Sequence, residues 1–147
     1  MSEWITGRIT KMDEDRKLIF GWAYIAKDES GRVVVDTQGD YISEPWELEK
    51  AAYNYVIKAR DMSDTHVRKG QGTLVESFVF TPEKRSLMGI PEGVMPEVAW
   101  WVGFRVEDDT LWKAAKDQEY VAFSIGGIGK RNKAQAPEGA VRQWVAQ

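Results

Sequence analysis

The chain has 147 residues, of which 43% are hydrophobic, 29% are charged and none is cysteine. This length suits one domain with a single core. The lack of cysteine excludes disulfides and thiolate metal sites, and the single histidine excludes a histidine-rich metal centre. A net charge of −3 does not favour nucleic-acid binding, and no apolar run approaches the roughly 20 residues of a membrane span. We therefore expect a soluble, intracellular, single-domain protein that needs no metal or other cofactor.

Alternating and β-branched residues predict an α+β fold that consists mostly of strands. The predicted strands are Trp4–Thr10, Leu18–Ile25, Val33–Asp36, Thr73–Thr81, Val98–Val106 and Tyr120–Ile128. A sheet of six to seven strands can close on itself, which leaves no long edge strand unpaired. We therefore expect a closed or nearly closed β-barrel with flanking helices.

Two helices are predicted from capping residues and apolar spacing. The first extends from Ser43, a suitable N-cap, to Arg60. We expect its face with Trp46 and Tyr53 to belong to the core. The second, shorter helix covers Asp108–Lys116, with acidic residues at its start and lysines towards its end.

Two further segments are predicted to lack regular structure. Pro82–Glu97 contains three prolines and two glycines, a composition that forbids a regular element over most of its length. Its apolar residues indicate a loop that packs on the core or on a ligand. The residues from 130 to 147 are expected to form a poorly anchored tail behind a domain that covers residues 1–129.

The only histidine, His66, is the first candidate for chemistry. A lone histidine is more often structural or exposed, and as a general base it needs a nucleophile and usually an orienting carboxylate. Glu76 could supply that carboxylate. It shares one side of its strand with three large apolar residues, so we expect it to be buried. A functional role and a salt bridge to Arg105 or Lys113 explain such a residue equally well.

The nucleophile candidate is Ser124. Its side of the strand also carries Ala122 and Gly126, so a peptide could approach it closely. Gly126 and Gly127 could turn a backbone N–H towards a developing oxyanion. Spacing alone nevertheless favours a serine that is packed in a crowded sheet, beside glycines that form a bulge. The sequence contains no Gly-x-Ser-x-Gly elbow and no Walker loop.

An ordered set of motifs is more specific than any of these residues alone. The motifs are Asp-Thr-Gln-Gly-Asp at 36–40, Asp-Thr-His at 64–66, Leu-Val-Glu-Ser-Phe at 74–78, Trp-Val-Gly-Phe-Arg-Val at 101–106 and Phe-Ser-Ile-Gly-Gly at 123–127. In this order they resemble the XkdF-like phage serine proteases, which are relatives of the prohead maturation proteases of tailed phages. The resemblance spans about residues 21–129.

The resemblance implies a fold similar to herpesvirus assemblin, which is a β-barrel ringed by helices. It also implies a serine endopeptidase that cleaves phage scaffold and major capsid proteins, and also itself, during head maturation. Such an enzyme acts in the host cytoplasm, inside the assembling procapsid. Relatives often pair through a helix, so a homodimer is a further expectation.

The resemblance also assigns roles to individual residues. It makes Ser124 the nucleophile, His66 the general base and Glu76 the acidic third member, with Asp64 as the reserve for that position. The predicted oxyanion-binding residues are Gly126 and Gly127, assisted by Lys130 or Arg131.

Two other functions remain open at this point. A non-enzymatic morphogenesis or scaffold-binding domain would keep the fold without the chemistry. A peptide-binding module would expose several of the 7 tryptophans together in a groove. Hydrogen-bond contact between His66 and Ser124 would favour the enzyme over both.

Overall fold

The computed structural model describes residues 2–36, 39–61, 72–118, 120–126 and 137–143. Its strands are β1 (Ser2–Asp13), β2 (Leu18–Lys27), β3 (Val34–Val35), β4 (Thr73–Phe80), β5 (Val98–Arg105), β6 (Tyr120–Gly126) and β7 (Val141–Arg142). Its helices are α1 (Pro45–Asp61), α2 (Pro82–Met88) and α3 (Asp109–Gln118). Within these ranges, no helix combines the length and the apolar character that crossing a membrane requires.

Five strands form one antiparallel sheet in the order β4-β5-β2-β1-β6, and β3 pairs with β7 in a small parallel sheet. The α+β class with most of its elements in strands is therefore as expected, but the closed barrel is wrong. Among the described strands, β4 and β6 are the two edges of an open sheet. Helix α1 packs against both β4 and β6, so a helix covers the region where a barrel would join strand to strand.

Helix α1 buries a narrow stripe in which two alanines lie between two larger residues. The stripe consists of Leu48, Ala51, Ala52 and Tyr55. The alanines let the helix approach the sheet closely, where the Tyr55 and Trp100 rings meet edge to face with centroids 5.6 Å apart. The predicted core face was wrong, because Trp46 is 59% exposed and Tyr53 is 50% exposed.

Helix α2 was not expected, because prolines and glycines dominate its segment. Its proline, Pro82, stands at the helix start, where no backbone N–H is needed. Thr81 is the N-cap and accepts a hydrogen bond from the Lys84 backbone N–H at 3.2 Å. Gly89 ends the helix in the left-handed conformation, with φ of 75°. Residues 89–97 contain no helix or strand, so this part of the segment is irregular as predicted.

Part of the expected tail pairs with the body of the protein. The structure describes residues 137–143 of it, which include β7. The Val141 N–H donates to the Val33 carbonyl at 2.9 Å, and the Gln143 N–H donates to the Val35 carbonyl at 2.7 Å. The domain boundary at residue 129 stays a prediction.

Candidate active-site face

The structure describes only some of the predicted catalytic residues. His66 and its neighbour Asp64 lie outside the described residues, as do the oxyanion candidates Gly127, Lys130 and Arg131. Ser124 and Gly126 lie in β6, where their Cα partners on β1 are Trp4 and Ser2. The contact between Ser124 and His66 therefore stays a prediction.

Glu76 lies on the edge strand β4, opposite Gly103 of β5. The expectation that it is buried is wrong, because its side chain is exposed. Its Oε1 accepts a hydrogen bond from the Trp101 indole Nε1 at 3.4 Å. Within the described residues, it forms no ion pair with Arg105 or Lys113.

The order of strands separates Glu76 from Ser124. Glu76 belongs to β4 at one edge of the sheet and Ser124 to β6 at the other, with β5, β2 and β1 between them. Neighbouring strands lie about 4.8 Å apart, so the path across the sheet is about 19 Å. Glu76 and Ser124 therefore do not lie on neighbouring strands of this sheet.

The sheet face that carries Glu76 also carries a continuous group of aromatic side chains. We call this group the aromatic face; it consists of Phe20, Trp22, Phe78, Phe80 and Trp101. The Trp22 ring contacts Trp101 edge to face at 5.1 Å and Phe80 at 5.8 Å. Phe20 stacks on Trp101 at 6.4 Å, and Phe78 lies 4.6 Å from Phe80. Phe78 is 39% exposed and the other four are half-buried.

The aromatic face was not predicted from the sequence, although its residues alternate along their strands. Phe20 and Trp22 alternate on β2 in the same way that Phe78 and Phe80 alternate on β4. What sequence does not give is the pairing that aligns Trp22, Trp101 and Phe78 in one row across three strands. The pairing between strands is a property of the tertiary structure.

Gly103 allows β2 and β4 to contribute neighbouring side chains to this face. A Cβ atom at Gly103 would lie 2.8 Å from Cδ1 of Phe20 and 3.2 Å from Cβ of Glu76. Such distances are shorter than ordinary van der Waals contact. Only glycine therefore lets the Phe20 ring and Glu76 approach each other across β5.

The strand register places Ser124 on the same side of the sheet as the aromatic face. Arg8 of β1 is the partner of both Trp22 on β2 and Tyr120 on β6. Directly paired residues of antiparallel strands share a face, and positions two apart along a strand do so as well. Ser124 follows Tyr120 by four positions, so its position falls on the face of Trp22 and Trp101.

The tryptophans with described side chains do not all line one groove. Trp100 and Trp112 are buried in the core, at 0% and 5% exposure. Trp22 and Trp101 are half-buried neighbours within the aromatic face, whereas Trp46 is exposed on α1. Among the tryptophans whose side chains the structure describes, two therefore lie together as a peptide-binding surface built on indoles would require.

Hydrogen bonds join the first and last residues of the Asp-Thr-Gln-Gly-Asp motif, Asp36 and Asp40, between β3 and α1. The Asp36 carboxylate accepts hydrogen bonds from the Asp40 N–H at 3.0 Å and from the Tyr24 hydroxyl at 3.1 Å. The Asp36 N–H donates to the Asp40 carbonyl at 2.8 Å. These bonds give Asp36 a structural role, because they connect it to Asp40 and to Tyr24.

Lys84 protects the exposed edge of β4. Its Nζ donates to the Val79 carbonyl at 2.9 Å and pairs with Glu49 of α1 at 2.8 Å. The same ammonium group lies 5.1 Å from the Phe78 ring centroid. A lysine on the edge of a sheet discourages pairing with another strand, and here it also ties α1 and α2 to β4.

The described part of the chain contains no group of three or more acidic or histidine side chains that could hold a metal ion. The family model described as "Putative phage serine protease XkdF" matches residues 6–133 of the 147-residue chain. No curated protein and no solved structure matches the chain. Because the matched range covers most of its length, the chain belongs to the XkdF family of phage serine proteases.

Proposed function

We propose that this protein is a serine endopeptidase of phage head maturation, with Ser124 as nucleophile and His66 as general base. Its substrates are the scaffold and major capsid proteins of the assembling procapsid, and the protease itself. The observation that carries the proposal is the family match over residues 6–133, which includes both residues. The chemistry of a serine–histidine pair requires no metal or organic cofactor.

The chain distance between α1 and His66 supports the pairing of His66 with Ser124. Helix α1 packs against both β6 and β4, and its last residue is Asp61. His66 follows Asp61 by five residues, a length of chain that spans up to about 18 Å. The position of His66 in the chain is therefore compatible with contact between its imidazole and the Ser124 hydroxyl.

The proposed reaction is acyl transfer to serine followed by hydrolysis. His66 accepts the proton of the Ser124 hydroxyl as its oxygen attacks the scissile carbonyl, and then gives it to the leaving amine. Backbone N–H groups near Gly126 and Gly127 bind the negatively charged oxygen of the tetrahedral intermediate, with Lys130 or Arg131 nearby. Water, activated by His66, then releases the acyl group from Ser124.

The proposal assigns no step to Glu76. Its side chain is exposed, its carboxylate accepts a hydrogen bond from Trp101, and three strands lie between its strand and β6. The acidic third member stays a prediction, with Asp64 two residues before His66 as the remaining candidate of the sequence analysis.

The test is cleavage of the cognate scaffold protein, followed over time by intact mass. We expect wild-type protein to cleave it and Ser124→Ala and His66→Ala to leave it intact. Ser86→Ala, which changes an exposed serine on α2, is the matched control and should cleave at the wild-type rate.

Circular dichroism must show that all variants are folded. Cleavage that persists in folded Ser124→Ala would reject the assignment of the nucleophile. If wild-type protein binds the scaffold protein without cleaving it, the protein is a non-enzymatic scaffold-binding domain instead.

A further inference from the structure

We propose that Glu76 and the aromatic face form a recognition site for one arginine or lysine side chain of a bound polypeptide. The inference rests on the proposed function in taking that polypeptide to be the substrate. It predicts that the substrate contains a positively charged residue that binds this site.

The Glu76 carboxylate is accessible and can accept further hydrogen bonds. It is exposed, and Trp101 Nε1 donates to one of its oxygens at 3.4 Å. An ionised carboxylate has about four acceptor positions, so one indole bond leaves room for a guanidinium or ammonium group. Within the described residues no cation pairs with it, and a charge-assisted bond is the strongest that it can form.

The aromatic rings around this carboxylate also favour a cation. Tryptophan and phenylalanine rings attract cations to their faces within about 6 Å of the ring centroid. The aromatic face already does so within the chain, because Lys84 Nζ lies 5.1 Å from the Phe78 centroid. A carboxylate beside several rings offers complementary charge to a cation and apolar contact to its methylene stem.

The site formed by Glu76 and the aromatic face is preorganised. Trp101 contacts both Phe20 and Trp22 while its indole N–H holds Glu76, so ring positions and carboxylate position are coupled. Gly103 removes the side chain that would separate Phe20 from Glu76. All of these residues lie on paired strands, which reduces the entropy that binding would otherwise cost.

The register connects this site to the proposed nucleophile. Trp22 and Ser124 share a face of the sheet, two strands and four residues apart. These offsets amount to about 10 Å across and about 14 Å along the strands, or about 17 Å in all. About five extended residues span that distance. Glu76 lies two strands beyond Trp22 and two residues further from Ser124 along the strands, so about 28 Å separates it from Ser124. About eight extended residues span this longer distance, so a peptide of that length can reach both Ser124 and Glu76.

The test measures binding with Ser124→Ala protein, so that no probe is cleaved. The probes are fluorescein-labelled peptides from the cognate scaffold protein, each containing arginine or its neutral analogue citrulline at one position. For at least one position, we expect arginine to bind roughly tenfold more tightly than citrulline. Glu76→Gln should remove this preference, and Phe78→Leu should reduce it a few-fold.

Glu92→Gln is the matched control, because Glu92 is equally exposed but lies in the loop after α2. It should keep the full preference for arginine. Equal binding of arginine and citrulline peptides at every position would overturn the proposal. So would an arginine preference that survives in Glu76→Gln.

Steady-state kinetics separates this inference from a catalytic role of Glu76. We expect Glu76→Gln to raise KM for the arginine peptide and to leave kcat unchanged. A loss of kcat for arginine and citrulline peptides alike would place Glu76 in the catalytic centre and overturn the proposal. An arginine preference in binding, without cleavage by wild-type protein, would reject the proposed function while the recognition site stands.

Discussion

Lys84 Nζ lies 2.8 Å from Glu49 Oε2, so one ion pair joins α2 to α1 beside the edge strand β4. The same nitrogen donates to the Tyr53 hydroxyl at 3.2 Å and to the Val79 carbonyl at 2.9 Å. Both charged side chains are mostly shielded from solvent, at 28% and 24% exposure. Its partners lie in α1 and β4, so Lys84, which itself lies in α2, connects these three elements.

Replacing Lys84 by methionine should therefore destabilise the fold. The change keeps most of the side-chain volume but removes the ion pair and two hydrogen bonds. We expect the free energy of unfolding to fall by about 1–2 kcal/mol, measured by urea denaturation. Lys50→Met, on an exposed position of α1, is the control and should change it by less than about 0.5 kcal/mol. An equal loss in both variants would contradict the role of Lys84.

The same pair predicts a pH dependence of stability. The Lys84 hydrogen bond lowers the pKa of Glu49, and Glu49 raises the pKa of Lys84 although burial of the ammonium opposes this. The contribution of Glu49 is therefore complete above the usual pKa of a glutamate and is lost as the pH falls through its lowered value. The contribution of Lys84 is complete below the usual pKa of a lysine and is lost as the pH rises through its raised value.

Urea denaturation of wild-type protein and Glu49→Gln at several pH values measures this effect. The difference in unfolding free energy should be present at neutral pH and shrink as the pH falls through the lowered pKa of Glu49, where its carboxylate becomes protonated. A difference that stays constant over this range would show that the charge of Glu49 does not contribute.

Ser77 offers a test that separates structure from catalysis. Its hydroxyl accepts a hydrogen bond from the indole Nε1 of Trp100 at 2.9 Å, and Trp100 is fully buried. Ser77→Ala removes this acceptor and should lower the unfolding free energy by about 1–3 kcal/mol. Cleavage of the scaffold protein should persist. A folded but inactive Ser77→Ala would make Ser77 the nucleophile in place of Ser124.

Gly103→Ala should disturb the aromatic face directly. The new Cβ would meet the Phe20 ring at 2.8 Å, so that ring must move away from Trp101. Overpacking of this kind costs about 1–3 kcal/mol, and the fluorescence of Trp101 should change because its stacked partner moves. Adding Phe20→Leu should recover part of the stability. No recovery in the double variant would show that the Phe20 ring is not the source of the strain.

Asp36→Ala tests the structural role of the Asp-Thr-Gln-Gly-Asp motif. The change removes the acceptor of both the Asp40 N–H and the Tyr24 hydroxyl. We expect a loss of about 1–3 kcal/mol in unfolding free energy. Asp36→Asn keeps an oxygen for the Asp40 N–H and should lose less, and Tyr24→Phe isolates the second bond. Identical losses in Asp36→Ala and Asp36→Asn would contradict this assignment.

Local sequence signals predicted most elements well. The predicted strand Leu18–Ile25 corresponds to β2, and the predicted helix from Ser43 to Arg60 corresponds to α1. These elements have strong periodic patterns, which depend only on residues close in the chain. Composition does not predict helix α2, because Pro82 and Gly89 disfavour a helix interior but stand only at the ends of this helix.

Burial was harder to predict than secondary structure. Trp46 was expected in the core because it is large and apolar, and Glu76 because its neighbours along β4 are apolar. Both are exposed, because α1 turns its small residues to the sheet and β4 is an edge strand. The elements that pack against a helix or strand decide which of its faces is covered. The sequence pattern of that helix or strand does not identify those elements.

The sequence by itself determined the family and the α+β class and led to the proposal of a nucleophile and a base, because these depend on residue identity and order. Only the tertiary structure decided that the sheet stays open and that Gly103 brings Phe20 beside Glu76. It alone also set the register that places Ser124 on the side of Trp22. Strand order and register join residues far apart in the chain, through contacts that no local pattern specifies.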